Sequence, residues 1–341
     1  MGACRIGLIG AGGVAARHAR VLAGFSDVRL VGVTDVLPDA CRRLADQHEA
    51  PAYPDVATLL DAGLDAVYVC VPPFAHGPAE ESVIAAGLPM FVEKPVAADL
   101  ATAERIAALV AGRGVPTAVG HHWRYLPVLD RARELLADRP VRMIGGAWLD
   151  RVPPVSWWAR RELSGGPVVE QAVHVLDLIR VLAGEVIEVS AYGDGAPPPV
   201  DGADIDSVTT AGMRFASGAV GTLACSSTLD WKHRAGVEVV ADGLVLTLDE
   251  QGLTWRDANG GGLTPADPEA ARIAVDRAFV DAVRGLGDDI RVPYPEALRT
   301  HRLALAVARS AATGRTVRLA PAVEALATAT RSTRTGFGLD A

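Results

Sequence analysis

Lysine is nearly absent from this chain. Only Lys94 and Lys232 among its 33 basic residues are lysine, so ordinary positive charge is carried by arginine. No basic block occurs, and the formal charge is −8 with a pI near 5.5. That excludes the electrostatic footprint of a nucleic-acid-binding protein. Cysteine is scarce too: Cys4, Cys41, Cys70 and Cys225 show no CxxC spacing and read as reduced thiols. No apolar run approaches the length of a membrane span. The run after Arg5 meets a glycine cluster within a few residues, too soon for a secretory leader. The cytoplasm is therefore the expected compartment. What remains is ample material for a core: 341 residues, 50% of them hydrophobic, expected to form one to three domains.

The first half alternates strand and helix. Arg5–Ile9 reads as a buried strand running into Gly10-Ala11-Gly12-Gly13-Val14-Ala15 and then a helix to about Phe25. This is G-x-G-x-x-A in the strand–turn–helix setting that dinucleotide binding requires. Gly10 permits the turn, Gly12 lets the backbone approach a pyrophosphate, and Gly13 and Val14 open the helix whose N-terminus favours the anion. A second strand, 28–34, ends in Asp35, placed to accept hydrogen bonds from an adenosine ribose and to repel a 2′-phosphate. NAD is expected over NADP. Further strands are expected near Tyr53 and at 66–71, 90–92 and 116–120, with helices between them. The result is a doubly wound parallel sheet over 1–122.

The strand at 90–92 ends in Glu93-Lys94-Pro95. Ligands of parallel sheets collect beyond the carboxyl ends of strands, and lysine is a compact ammonium suited to proton transfer. A surface ion pair is the plain alternative. His76, His121 and His122 do not make a metal set, since their spacing is wrong and no further ligand completes one.

From 123 to 320 the pattern changes to an α+β region with a mainly antiparallel sheet. Strand-like segments lie at 142–149, 186–192, 207–215, 219–226, 236–240 and 244–248. A flexible turn is expected at 259–262, then helices at 268–285 and 295–313 and a short strand at 316–319. Residues 321–341 form an uninformative Ala/Thr-rich tail. A capped amphipathic helix is expected from Ser164 to about Leu182. It would put Glu170, His174 and Asp177, at i, i+4 and i+7, on one face.

The ordered set Gly10…Ala15, Pro72-Pro73…His76, Glu93-Lys94-Pro95 and Gly165-Gly166…Glu170…His174…Asp177 resembles the Gfo/Idh/MocA-type oxidoreductases. The resemblance covers roughly residues 5–320. It implies NAD(P)-dependent oxidation or reduction of sugars, cyclitols or related polyols. It also implies an open C-terminal sheet that joins copies into a homodimer or homotetramer. In many members an aspartate stands where Glu170 does.

The expected chemistry is removal of a hydroxyl proton as hydride leaves the carbinol carbon. His174 is the candidate base, with Glu170 supporting the imidazole, and Lys94 polarises the oxygen or exchanges roles with the histidine. Pro72, Pro73, His76 and Glu93 are expected beside the cofactor, His76 alternatively capping its helix. Trp123, Arg124, Tyr125, Trp158 and Arg160 combine flat faces or fork donors and are candidates for holding a hydroxylated ring, with Asp177 also expected at the substrate, although interface or packing roles serve any of the first five equally. The competing functions are a hydrolase that retains NAD and cleaves glycosides through transient oxidation, and a non-catalytic dinucleotide sensor.

Overall fold

The computed structural model describes residues 2–319, so the tail at 321–341 lies outside the described residues. The first sheet is built from β1 (Cys4–Ile9), β2 (Val28–Thr34), β3 (Ala52–Tyr53), β4 (Ala66–Val69), β5 (Met90–Val92) and β6 (Thr117–Val119). Its helices are α1 (Gly13–Ala23), α2 (Pro38–Gln47), α3 (Val56–Leu60), α4 (Pro78–Ala85) and α5 (Leu100–Arg113). All the strands run parallel in the order β3-β2-β1-β4-β5-β6. Alternate residues of β4 feed two different cores: Tyr68 packs with Leu8 and Phe91, Val67 and Val69 with Val92 and Ile106. That is why this strand reads as a continuous apolar run. The strand order reverses at β1, which leaves a crevice at the carboxyl ends of β1 and β4.

The second region begins with α6 (Pro127–Leu136), a helix absent from the sequence expectations, and β7 (Val141–Leu149). Then come α7 (Arg161–Ser164), α8 (Pro167–Glu170), α9 (Val173–Ala183), β8 (Val186–Gly193), β9 (Val208–Phe215) and β10 (Val220–Ser226). The chain continues through β11 (Arg234–Ala241), β12 (Leu244–Asp249), β13 (Gly252–Asp257) and β14 (Gly260–Pro265). It closes with α10 (Pro268–Val283), α11 (Tyr294–Thr313) and β15 (Val317–Arg318).

These strands form a nine-stranded sheet in the order β14-β13-β12-β11-β7-β10-β9-β8-β15, antiparallel except where β7 meets β10. α9 and α11 pack on one face. Register places Arg214, Val220, Met143, Val240 and Val245 in one row across the other.

Two expectations need correction. The turn expected at 259–262 is mostly strand β14. Its glycines hide the strand signal and are required there, since a Cβ on Gly261 would lie 2.6 Å from the Trp255 carbonyl oxygen. The helix expected from 164 to 182 is instead α7, α8 and α9, interrupted at Gly165-Gly166 and at Gln171-Ala172. Both glycines have positive φ, +76° and +90°, which right-handed helix cannot accommodate. The late helices also return to the first sheet: fully buried Tyr294 joins the core of Val83 and Met90, and its N–H donates to Thr117 Oγ1 at 3.0 Å.

Candidate active site

The turn after β1 is bare backbone. Gly10 has φ +101°, and a Cβ there would lie 2.3 Å from the Cys70 carbonyl oxygen. Nothing stands within 4 Å of the places where Cβ atoms of Gly12 and Gly13 would be. No side chain caps α1, so its first N–H groups face this opening, while Ala15 is fully buried against the strand. Asp35 shapes the loop: Oδ2 accepts from Ala11 N–H at 2.6 Å and Oδ1 from Leu37 N–H at 2.7 Å. Val36, 94% exposed, lies beside it. A cradle open to phosphate, a carboxylate at the second strand end and an apolar shelf together fit a dinucleotide.

Glu93 serves the frame of the site. Its buried carboxylate accepts from Arg17 at 2.9 Å, from His18 Nε2 at 2.8 Å and from the Lys94 N–H at 2.9 Å. His18 reaches on through Nδ1 to Asp276 of α10 at 2.8 Å. Burial alone would lower the His18 pKa, but the carboxylates of Asp276 and Glu93 outweigh it and raise it to about 9. A charged imidazole thus ties the Glu93-Lys94 strand end to helices from both regions.

Lys94 points away from that frame. Its Nζ donates to the Glu170 carbonyl at 2.8 Å and to Glu170 Oε1 at 3.1 Å. Glu170 Oε2 accepts from the fully buried Trp158 indole at 2.9 Å. An uninterrupted helix would commit the Glu170 carbonyl to the His174 N–H. The break at Gln171-Ala172 frees it for Lys94 and takes Glu170 out of register with His174. Glu170 therefore supports Lys94, not the imidazole.

His174 is held by rings. It stacks on Trp123 at 5.4 Å and on Trp148 at 6.2 Å, with His121 and His122 edge-on at 5.7 and 5.1 Å. Its Nδ1 is buried without a partner. Burial first, then the charges of Lys94 and the neighbouring imidazoles and Lys232, hold its pKa well below the ordinary imidazole value. Behind this wall Glu250 accepts from Trp123 Nε1 at 3.0 Å and from Lys232 Nζ at 2.5 Å, and the Lys232 ammonium lies 4.7 Å over the Trp148 ring. Both lysines of the chain thus act on one histidine.

Residues 4–121 match the family model for the oxidoreductase family with an NAD-binding Rossmann fold, and residues 132–243 match the GFO/IDH/MocA C-terminal domain. The chain belongs to the Gfo/Idh/MocA oxidoreductase family. It is 30% identical over 333 residues to a myo-inositol dehydrogenase of Streptomyces leeuwenhoekii, covering 91% of this chain and 98% of that one. Identity to the UDP-N-acetylglucosamine 3-dehydrogenase of Acidithiobacillus ferrooxidans is 28% over 309 residues, covering 87% and 90%. The NAD complex of GenD2 from gentamicin A biosynthesis superposes with a TM-score of 0.78 at 25% identity, covering 94% of this chain and 97% of that one.

Several residues expected at the site of this Gfo/Idh/MocA chain are employed elsewhere. Asp177 is 1% exposed and accepts from Arg124 at 2.6 and 2.8 Å and from Thr300 at 2.8 Å. Arg124 also reaches Glu296 at 2.9 Å. That network joins α9 to α11. The Tyr125 hydroxyl donates to the Asp289 carbonyl at 3.0 Å and accepts from Arg291 N–H at 2.8 Å. Arg160 is a surface residue paired with Glu162 at 3.0 Å. His76 binds Glu80, whose other oxygen accepts from Gly77 N–H at 2.6 Å at the start of α4. Pro73 is buried in the turn after β4 and Pro72 is half-buried. Sequence reading missed Trp148, Lys232, Glu250 and Gln171. Only Lys232 left a signal, the rarity of lysine itself.

Proposed function

We propose that the protein moves hydride between NAD and a secondary alcohol of a cyclitol, sugar or sugar derivative, with Lys94 as the proton-transfer group. The carrying observation is the placement of Lys94 Nζ. An ammonium has three donors, and Glu170 takes two through its carbonyl and Oε1. The third is left for a substrate oxygen. The open glycine turn and Asp35 hold NAD, which when bound supplies the hydride acceptor. In reduction the third Nζ proton passes to the carbonyl oxygen and leaves a neutral amine; in oxidation the neutral amine takes up the hydroxyl proton and the ammonium re-forms. His174, kept neutral by burial and nearby cations, holds that oxygen by hydrogen bonding and does not become imidazolium. Trp123 and Trp148 offer flat faces and limit water around it.

The substrate alcohols named for the relatives support this chemistry here. The test is NADH formation from inositols and hexoses with NAD and NADP. Nitrophenol release from nitrophenyl glycosides without net NADH would instead favour the NAD-retaining hydrolase, and binding of NAD with neither reaction the sensor.

The sheet face carrying Arg214, Val220, Met143, Val240 and Val245 is proposed to pair with a second copy, giving a homodimer or homotetramer. Met143 is 44% and Val220 51% exposed there. Met143→Glu should reduce the assembly in sedimentation. The four buried free cysteines suit the cytoplasm, and among the described residues no helix is long and apolar enough to cross a membrane.

A further inference from the structure

A cleft of about 400 Å³ lies outside the residues that meet the reacting oxygen, lined by Arg151, Pro153, Pro154, Gln171, Trp231 and Lys232, together with Asp150. Gln171 follows Glu170, and Lys232 lies over Trp148, the ring stacked on His174. The cleft therefore continues outward from the reacting centre. At roughly 30 Å³ for each water-sized group it has room for roughly a dozen heavy atoms. That is the size of one hydroxylated six-membered ring, in addition to the ring being oxidised.

Its chemistry suits such a ring. Trp231 is 58% exposed, unusual for an indole with no partner to cover it, and stands with Pro153 and Pro154 in the same wall. Flat apolar surfaces of this kind receive the C–H face of a sugar or cyclitol. Polar groups line the same cleft. Gln171 Oε1 is buried without a hydrogen-bond partner, in a residue only 7% exposed. Among the described residues the Arg151 guanidinium makes no hydrogen bond or ion pair, and Lys232 keeps two Nζ donors beyond its bond to Glu250.

We infer that the substrate is a glycoside: the oxidised ring carries a second ring through a glycosidic oxygen, and that second ring lies on Trp231 and the Pro153-Pro154 shelf. Arg151, Lys232 and Gln171 meet the oxygens between and around the two rings. This rests on the hydride-transfer reading above and narrows its substrate class.

The test uses the full chain loaded with NAD and three sugars, glucose, galactose and N-acetylglucosamine, each free, as its methyl glycoside and as its phenyl glycoside. NADH formation gives kcat/KM, and calorimetry gives binding. For whichever sugar is turned over, the phenyl glycoside should exceed the methyl glycoside by roughly two- to tenfold. Trp231→Ala should bring that ratio close to one, while Trp231→Phe should keep part of it. The inference is overturned if phenyl and methyl glycosides are equivalent in the wild type, or if Trp231→Ala lowers all three forms alike. A change of oligomeric state on Trp231→Ala would also overturn it, because the indole would then be an interface residue. Trp231-dependent binding of phenyl glycosides without NADH formation would support the subsite and remove the hydride-transfer reading. Turnover without phenyl preference would do the reverse.

Discussion

One wall of the cleft, at the end of β5, holds Lys94 by hydrogen bonds to Glu170. The other holds His174 by contact with the rings of Trp123 and Trp148 and leaves its Nδ1 without a partner. A charge held by hydrogen bonds has a direction and can pass a proton along it. An imidazole in an apolar, cation-flanked stack cannot easily become charged. The difference supports the proposed roles, proton transfer at the first wall and substrate orientation at the second. Of the two arrangements the sequence left open, it favours the one in which Lys94 and His174 exchange roles and Lys94 carries the proton.

Lys94→Ala should break the comparison most severely, lowering kcat by about 10²–10⁴. NAD affinity, measured by fluorescence titration, should be nearly intact, because the glycine turn and Asp35 are untouched. Adding His174→Ala should cost much less than the two single losses multiplied, since both groups address one oxygen. Fully multiplicative losses would mean that they work separately.

The anchoring of the first wall gives the next effect, on stability. His18→Ala leaves the buried carboxylates of Glu93 and Asp276 facing each other without the cation between them. Losing one partner of such a buried set costs about 3–5 kcal/mol. Because the folded-state pKa of His18 is raised, to about 9, its stabilisation is fully present below the ordinary imidazole value. It is lost as pH rises through about 9. Melting temperature of the wild type should therefore fall across that window. In His18→Ala it should be lower throughout and flatter across it. Equal slopes for both proteins would show that another group carries the dependence.

His174→Ala should be smaller in kcat/KM than Lys94→Ala, roughly ten- to a hundredfold, the loss of hydrogen bonding to a buried oxygen. The pH profile sharpens the assignment. A lowered pKa keeps His174 neutral from pH 8 down to below the ordinary imidazole value, so its protonation gives no acid limb near neutrality. An acid limb near neutrality that vanishes in His174→Ala would restore the histidine as the base.

The first wall was legible in sequence because its parts are contiguous motifs: a glycine turn, Asp35 at a strand end, and Glu93-Lys94-Pro95. Spacing alone failed at 164–182, because i, i+4 periodicity assumes one helix and two positive-φ glycines and the Gln171-Ala172 turn divide it. Glu170 moved to Lys94 as a result, whereas His174 and Asp177 keep their expected spacing within α9. The second wall was legible only at His174 and Trp123. Trp123, Trp148, Lys232 and Glu250 come from four separate segments, and only the register of β7, β11 and β12 brings the last three together. Nothing local in the sequence encodes that meeting.

Glu250→Gln gives the smallest effect and tests whether the second wall is organised or merely crowded. The carboxylate is held well below the usual carboxylate range: burial raises its pKa, but His122, Lys232 and Trp123 outweigh burial. As an anion it restrains the Lys232 ammonium over Trp148 and the Trp123 indole behind His174. Glutamine keeps the shape and one acceptor but loses the charge, so Lys232 should loosen while the fold survives. An exposed lysine–carboxylate contact is worth about 0–1 kcal/mol. Lys232 is 40% and Glu250 16% exposed in their side chains, so the change should stay modest. KM should rise about three- to tenfold, with kcat within about twofold and NAD affinity unaltered. If kcat falls instead and KM holds, Glu250 sets the reacting geometry, and the division between a proton-transferring wall and an orienting wall does not stand.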